Sequence, residues 1–186
     1  MCGIRVRFFA FFPLLIDIIT CALDPFRVEI SMSYRKTLGD WGEAHALRLL
    51  KAAAFTDIKP LNIGLQHPGG DLLARRNGRL YFFSVKARDR FGLNGKSNPG
   101  YNIYPEKVIK AARAYNAKPA WLVIRADRRD NTLCSYWGLI EEIPPGKGTR
   151  NRIYVSMSEH AIADYKCLAS NFSDPTIASV FRGKAY

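Results

Sequence analysis

The sequence lacks the residue patterns that mark several common functional classes. Its four cysteines are widely spaced and form no C-x-x-C pair, and with three histidines this argues against a zinc site. G-x-G-x-x-G is absent, as is any other phosphate-binding glycine-rich loop. The histidines, His45, His67 and His160, stand in unrelated contexts that give no Ser-His-Asp triad. We expect the cysteines to be reduced thiols, as in a cytoplasmic protein.

Acidic residues are scarce relative to basic ones. The chain has 16 Asp and Glu against 28 Lys and Arg, which gives a formal net charge of +12 at pH 7. Such an excess favours a polyanionic partner through counterion release, without implying any sequence specificity. A length of 186 residues and an apolar share of 48% are typical of one folded domain. Nucleic acid is therefore the partner that composition favours, the alternative being a basic protein with an unrelated role.

An uninterrupted apolar run of membrane-spanning length is also missing. The most apolar stretch, residues 8–23, is broken by Pro13 and Asp17, and a transmembrane helix needs about 20 apolar residues. The stretch resembles the apolar region of a signal peptide, but no small-x-small cleavage site follows it. We therefore expect no membrane partner.

The chain is expected to divide into three parts. Met32 opens a typical cytosolic start, so we interpret residues 1–31 as an apolar segment that is not part of the native domain, with secretion as the alternative. We expect a nuclease-like domain over residues 32–170, for reasons given below. Residues 171–186 are expected to form a polar, frayed tail.

The strongest structural pattern is a hairpin in the middle of the chain. Two short strands, Asp71–Arg75 and Leu80–Ala87, flank Asn77-Gly78. Asn-Gly between apolar runs predicts a type I′ turn, because both residues accept a positive φ.

This hairpin places charged side chains in an apolar setting. Its pairing brings Asp71 near Ser84 and Lys86, which lie two residues apart and therefore share a face of the strand. Charges within an apolar hairpin cost free energy unless they are paired or bound to a metal. The pattern therefore indicates a functional site, the alternative being a structural ion pair.

The remaining elements predict an α/β fold with a central mixed β-sheet flanked by helices. The predicted elements are a helix over Leu38–Ala54 capped by Gly39-Asp40, strands over Ile58–Ile63, Ala120–Ala126, Leu133–Ile140 and Ile153–Met157, and helices over Pro105–Ala117 and Ser158–Leu168.

A long exposed loop is predicted between Asp89 and Tyr104, since this segment is rich in glycine and asparagine. Cations alternate there with Phe91, Tyr101 and Tyr104, a composition suited to phosphate contact and base stacking, although solvated loop chemistry explains it equally well. The candidate nucleic-acid-binding residues, in this segment and the following helix, are Arg88, Arg90, Lys96, Lys107 and Lys110.

Three of these features together resemble the PD-(D/E)xK nuclease superfamily, which includes restriction endonuclease-like and Holliday junction resolvase-like proteins. They are Asp71, the x-Val85-Lys86 sequence at a strand end, and Glu43 in the preceding helix. The similarity covers Gly39 to Asp127. It implies a restriction endonuclease-like core with the order helix, three strands, helix, strand.

The resemblance also implies a metal-dependent endonuclease that hydrolyses phosphodiester bonds in DNA. Its catalytic residues would be Glu43, Asp71, Ser84 and Lys86, and Mg²⁺ (or Mn²⁺) would be held by Asp71, Glu43 and the carbonyl of Val85. Lys86 would orient the attacking water or stabilise charge on the phosphorane. A homodimer is a further expectation, because many relatives dimerise.

The chain departs from the superfamily pattern at Ser84, where an acidic residue is usual. A hydroxyl there removes an anionic ligand, so another acid would have to substitute, and Glu106 and Asp89 are the nearest candidates. The alternative hypotheses are a non-catalytic nucleic-acid-binding module on the same fold with a decayed metal site, and a basic α/β domain with an unrelated role.

Overall fold

The computed structural model describes residues 25–61, 69–92, 95–143 and 152–181, with side chains from residue 36 onward. The chain forms two compact units, residues 1–35 and residues 36–186. Of the first unit only the helical backbone from Pro25 is described, so most of the predicted segment 1–31 lies outside the described residues. Within those residues, no helix is long and apolar enough to cross a membrane.

The second unit is built on a six-stranded mixed sheet in the order β1-β2-β3-β5-β6-β8. β3 and β5 are parallel, and the other neighbours are antiparallel. The strands are β1 (Thr56–Pro60), β2 (Leu72–Arg76), β3 (Arg79–Asp89), β5 (Lys118–Asp127), β6 (Thr132–Leu139) and β8 (Lys166–Ser173). A second sheet pairs β4 (Gly100–Ile103) with β7 (Ile153–Ser156).

The helices are α1 (Pro25–Ala52), α2 (Pro105–Ala114), α3 (Glu159–Ile162) and α4 (Thr176–Val180), with a 3₁₀ turn at Ile140–Glu142. Around the main sheet, α1, β1 to β3, α2 and β5 follow the order helix, three strands, helix, strand. The expected α/β class, and the mixed sheet flanked by helices, are confirmed.

The predicted central hairpin is present in the structure. β2 and β3 pair antiparallel from Leu72↔Phe83 to Arg76↔Arg79. Asn77 and Gly78 connect them with φ values of 49° and 75°, as a type I′ turn requires.

α1 begins earlier than predicted and packs closely on β3. Gly39-Asp40 lies inside the helix and does not cap it, because residues 26–38 contain no glycine or proline and Pro25 suits a first helical position. A Cβ on Gly42 would stand 2.3 Å from the Cβ of Ala87. The absence of a side chain at Gly42 is what allows α1 to cross β3 at this depth.

The other face of β3 packs on α2 and the second sheet. The buried cluster there includes Phe82, Val108, Trp121, Tyr101 and Val155. Phe83, on the α1 side, packs instead against Phe55, which follows α1. β3 is therefore covered on both faces over its middle.

The segment predicted as a long loop contains a strand. Tyr101 and Ile103 in β4 point inward, and they pair with Val155 and Ile153 of β7. The prediction of a continuous loop was wrong because the partner strand lies about fifty residues further along the chain, where no local pattern reveals it.

The C-terminal prediction was also wrong. Ser158 does cap a helix, through its hydroxyl to the N–H of Ala161, but that helix ends at Ile162 and β8 follows. Residues 172–181, within the tail predicted to be frayed, complete β8 and form α4, with Ile177 fully buried; residues 182–186 lie outside the described residues. The domain boundaries themselves stay a prediction.

A buried polar contact ties the C-terminal segment to α1. Nε2 of His45 contacts Oδ2 of Asp174, and Thr176 donates both its N–H and its hydroxyl to Oδ1 of Asp174. Trp41 donates its indole N–H to the Thr176 hydroxyl at 3.1 Å. Burial opposes ionisation of Asp174, but the hydrogen bonds from Thr176 and His45 outweigh it and lower the pKa of this carboxyl.

Two glycines of α1 provide a matched test of the α1–β3 packing. Gly42→Ala is expected to destabilise the protein by about 1–3 kcal/mol, because helix and strand must separate to admit the methyl group. Gly39→Ala is expected to stabilise it by about 0.5–1 kcal/mol, because nothing lies within 4 Å of that added methyl and alanine favours helix. Urea unfolding of the two variants measures both effects, and equal shifts would contradict the close packing at Gly42.

Candidate functional site

Asp71 is held immediately before β2 by contacts to β3. Its N–H donates to the carbonyl of Phe83 at 2.8 Å, at the point where the paired register of β2 and β3 ends. Its carboxylate Oδ2 accepts a hydrogen bond from the N–H of Val85 at 2.6 Å. Backbone and side chain therefore both fix this half-buried carboxylate against β3.

Lys86 reaches the same point of β3 from the other side of Val85. Its ammonium donates to the carbonyl of Val85 at 2.9 Å. Val85 itself is buried. The two backbone groups of one buried residue thus hold the carboxylate of Asp71 and the ammonium of Lys86, so the structure brings these two predicted residues together.

Ser84 lies between these groups on β3. The paired register of β2 and β3 ends at Leu72↔Phe83. Asp71 then contacts the Phe83 carbonyl through its N–H and the Val85 N–H through its carboxylate, on either side of Ser84. Lys86, two residues on, shares a face of β3 with Ser84. Ser84 is only 5% exposed, so a larger side chain at this position would enter a packed environment.

Glu43 approaches the strand from the opposite face. Its neighbour Gly42 contacts the side chain of Ala87, which points away from the face that carries Ser84 and Lys86. Glu43 is half-buried. The structure therefore places Glu43 beside this end of β3, while its convergence with Asp71 on one metal stays a prediction.

Asp89 does not complete the site, contrary to one of the two options predicted. Its carboxylate forms a buried ion pair with Nε of Arg128 at 3.1 Å and accepts the N–H of Phe91 at 3.2 Å. Burial raises the pKa of Asp89, and this hydrogen bond and Arg128 only partly offset it. These two contacts give Asp89 a structural role.

Glu106 is the remaining predicted substitute. It is exposed in the first turn of α2. A Cβ on Gly69, two residues before Asp71, would lie 2.4 Å from the carbonyl of Lys107. The segment that leads to Asp71 therefore lies against the first turn of α2, and a contribution from Glu106 stays a prediction.

The metal-binding prediction can be compared with these donors. The described residues contain no group of three or more His, Cys, Asp and Glu that could hold a metal ion. The carbonyl of Val85, a predicted metal ligand, already accepts a hydrogen bond from the ammonium of Lys86. Mg²⁺ keeps several waters and needs only one or two carboxylates. Asp71 with one further acid therefore fits a hydrated, weakly held ion, and a closed protein cage does not fit.

The five predicted nucleic-acid-binding cations, Arg88, Arg90, Lys96, Lys107 and Lys110, are all exposed. Arg90 pairs with Oδ2 of Asp127 at 2.9 Å, which reduces the charge that it offers to a ligand. Arg88 lies over the ring of Tyr101 at 5.7 Å. Their role in DNA binding stays a prediction.

The aromatic residues of the predicted binding segment separate into buried and exposed ones. Tyr101 is fully buried and donates its hydroxyl to the carbonyl of Ile124 at 2.9 Å, so it does not serve as a stacking surface. Phe91 is half-buried, with the guanidinium of Arg129 over its ring at 3.9 Å. Tyr104 is 39% exposed and available.

Sequence reasoning missed a second exposed tyrosine. Tyr154 on β7 is 38% exposed and pairs with Asn102 of β4. Burial raises the pKa of Tyr154, an effect opposed by the nearby guanidinium of Arg88. Only the alternation of inward and outward residues in Ile153–Ser156 could have indicated an outward tyrosine, and its neighbours were not predictable without the pairing.

Similarity to known proteins is found among solved structures. No protein-family model and no curated protein matches the chain. Among solved structures, the Holliday junction resolvase of the archaeal hyperthermophile Archaeoglobus fulgidus is 15% identical, with a TM-score of 0.47, over 68% of this chain and 88% of that one.

The buried Asp89–Arg128 pair can be tested against the Arg90–Asp127 pair, whose cation is half exposed. Arg128→Ala should destabilise the protein by about 3–5 kcal/mol at neutral pH, because it leaves the buried carboxylate of Asp89 without its cation. Arg90→Ala should cost less than about 1 kcal/mol, because Arg90 is half exposed.

The pH dependence of the Arg128→Ala defect follows from the raised pKa of Asp89. The folded state then retains a proton that the unfolded carboxyl, with its ordinary pKa of 3.8, has released. The defect should therefore shrink as pH is lowered from 7 toward that value in urea-unfolding measurements. A defect that grows on acidification would contradict the assignment.

Proposed function

We propose that this domain hydrolyses phosphodiester bonds in DNA, with Asp71 and Lys86 at the reaction centre. The observation that supports this is their arrangement on β3, where a carboxylate and an ammonium are held by the N–H and the carbonyl of Val85.

The roles follow from the chemistry of each group. The ammonium of Lys86, close to its own strand, can orient an attacking water or stabilise negative charge on the phosphorane. Ser84 can contribute only a neutral hydroxyl. A divalent ion such as Mg²⁺ or Mn²⁺, held by Asp71 with Glu43 as second carboxylate, would polarise the phosphate.

Contacts to the DNA backbone would come from exposed cations of β3 and α2. Arg88 continues β3 two residues beyond Lys86, and Lys107 and Lys110 are exposed on α2. A net charge of +12 favours this partner at long range. A homodimer that cuts two strands stays a prediction.

A second candidate function is DNA binding without hydrolysis. It is favoured by Ser84 in place of an acid, and by the lack of any three-residue metal cluster among the described residues. Both candidates use the same cations, so binding alone does not separate them.

Hydrolysis is tested first by Asp71→Asn. This change removes the charge while retaining an acceptor for the N–H of Val85, so the fold should persist. We expect Mg²⁺- or Mn²⁺-dependent cleavage to be lost and DNA binding to be retained or strengthened. The control is Glu141→Gln, which neutralises an exposed carboxylate elsewhere. Equal cleavage by both variants would contradict a reaction centre at Asp71.

Ser84→Glu then separates the two candidates. If the wild type shows no metal-dependent cleavage of any DNA form and this variant creates some, the function is binding on a site that has lost an acid. If the wild type cleaves and the variant is less active, the site is already complete and the new carboxylate crowds it.

Binding through the cations of α2 predicts a change in salt dependence. Lys107→Ala with Lys110→Ala should reduce the slope of log Kobs against log salt by about 1.8, because about 0.9 is lost for each phosphate contact. Lys51→Ala with Lys59→Ala removes the same charge from exposed positions outside α2 and should change the slope little. Titration of labelled duplex DNA at salt concentrations from about 50 to 200 mM, where phosphate contacts strongly affect affinity, gives both slopes.

A further inference from the structure

Two exposed tyrosines lie on the outer side of the small sheet, one within it and one just beyond its end. Tyr154 pairs with Asn102 across the β4–β7 ladder, and Tyr104 follows Asn102 by two residues, one residue past the end of β4. A regular ladder would place their α-carbons about 7–8 Å apart, but the ring of Tyr154 reaches toward Gly100 and away from Tyr104, so the two rings are separate stacking surfaces. We call this surface, with Lys107, Arg152 and Arg88 around it, the tyrosine face.

The ring of Tyr154 lies against the backbone of β4. A Cβ on Gly100 would be 2.7 Å from Cζ and 2.9 Å from the hydroxyl oxygen of Tyr154. The ring therefore covers Gly100, and the residue is nevertheless 38% exposed. A ring that rests on a sheet and stays accessible is already ordered for stacking, so a ligand would lose little side-chain entropy on binding.

Cations surround the second tyrosine. Nζ of Lys107 lies 5.2 Å, and the guanidinium carbon of Arg152 5.0 Å, from the ring centroid of Tyr104. Both cations are exposed. Both cations lie over the ring, so a base that stacks on Tyr104 must displace one of them from the ring face. The displaced cation stays close enough to contact a flanking phosphate, which gives the phosphate attraction and base stacking that single-stranded nucleic acid requires.

The tyrosine face is continuous with the site on β3. Arg88 lies two residues beyond Lys86, a rise of about 7 Å along the strand. Its guanidinium lies over the ring of the buried Tyr101 and is also close enough to Tyr154 for its charge to oppose the rise in the pKa of that tyrosine. A strand of nucleic acid on the tyrosine face could therefore continue toward Lys86 past Arg88.

We propose that the tyrosine face binds unpaired nucleotides of DNA by stacking bases on Tyr154 and Tyr104, with Lys107 and Arg152 contacting the flanking phosphates. The proposal rests on the proposed function and specifies its substrate: DNA with a single-stranded segment. Duplex DNA offers the same phosphates, but its bases are stacked on each other and are not available to the tyrosines.

The test uses the full chain and two labelled DNA probes, a single-stranded oligonucleotide and a blunt duplex of matched composition. Tyr154→Ala and Tyr104→Ala should each weaken single-strand binding by about tenfold while duplex binding is unchanged. Tyr154→Phe should retain wild-type affinity, because stacking needs the ring and not the hydroxyl.

Phe172→Ala is the matched control. Phe172 is also a large, exposed aromatic, at 54%, but it lies on β8 outside the tyrosine face. It should bind both probes as the wild type does. Tyr154→Trp adds a direct readout, since its added fluorescence should be quenched by the single strand and not by the duplex.

The outcomes separate this inference from the proposed function. Unchanged single-strand affinity in both alanine variants, or an equal loss for both probes, would overturn stacking on the tyrosine face even if the protein cleaves DNA. A selective loss for the single strand supports stacking, even if no DNA form is ever cleaved.

Discussion

The constraint on which the site depends is the confinement of β3. The strand is paired on both edges, to β2 and to β5, and its middle is buried on both faces. Backbone groups within it must therefore find partners inside the fold. At Val85, beyond the last paired residue of β2, the N–H and the carbonyl are met by two charged side chains, Asp71 and Lys86.

The same strand separates structural charges from charges available for function. Asp89, at its end, is neutralised by the buried guanidinium of Arg128. The ammonium of Lys86 donates a hydrogen bond to the carbonyl of Val85, and Arg88 is exposed beside the small sheet. Five consecutive residues of β3 therefore include a candidate reaction centre, a candidate binding residue and a structural ion pair, because their side chains differ in burial.

Local patterns predicted the hairpin and β7 well, and β4 and β8 not at all. Asn77-Gly78 specifies its turn through positive φ values that few other residues accept, and the alternation around it sets the register. β4 and β8 carry no comparable signal, because their segments resemble a polar loop and a helix followed by a tail. Their strand character comes from pairing with β7 and β6, which are distant in sequence.

The sequence by itself determined the hairpin and its turn, and with them that Ser84 and Lys86 share one face of β3, because a period of two and a short turn leave no other register. Only the tertiary structure decided which charges are engaged and which are exposed. Asp89 is paired with Arg128, and Tyr101 turns inward while Tyr154 turns outward over Gly100. These outcomes depend on partners that are distant in the sequence, whose position is set by sheet pairing and burial.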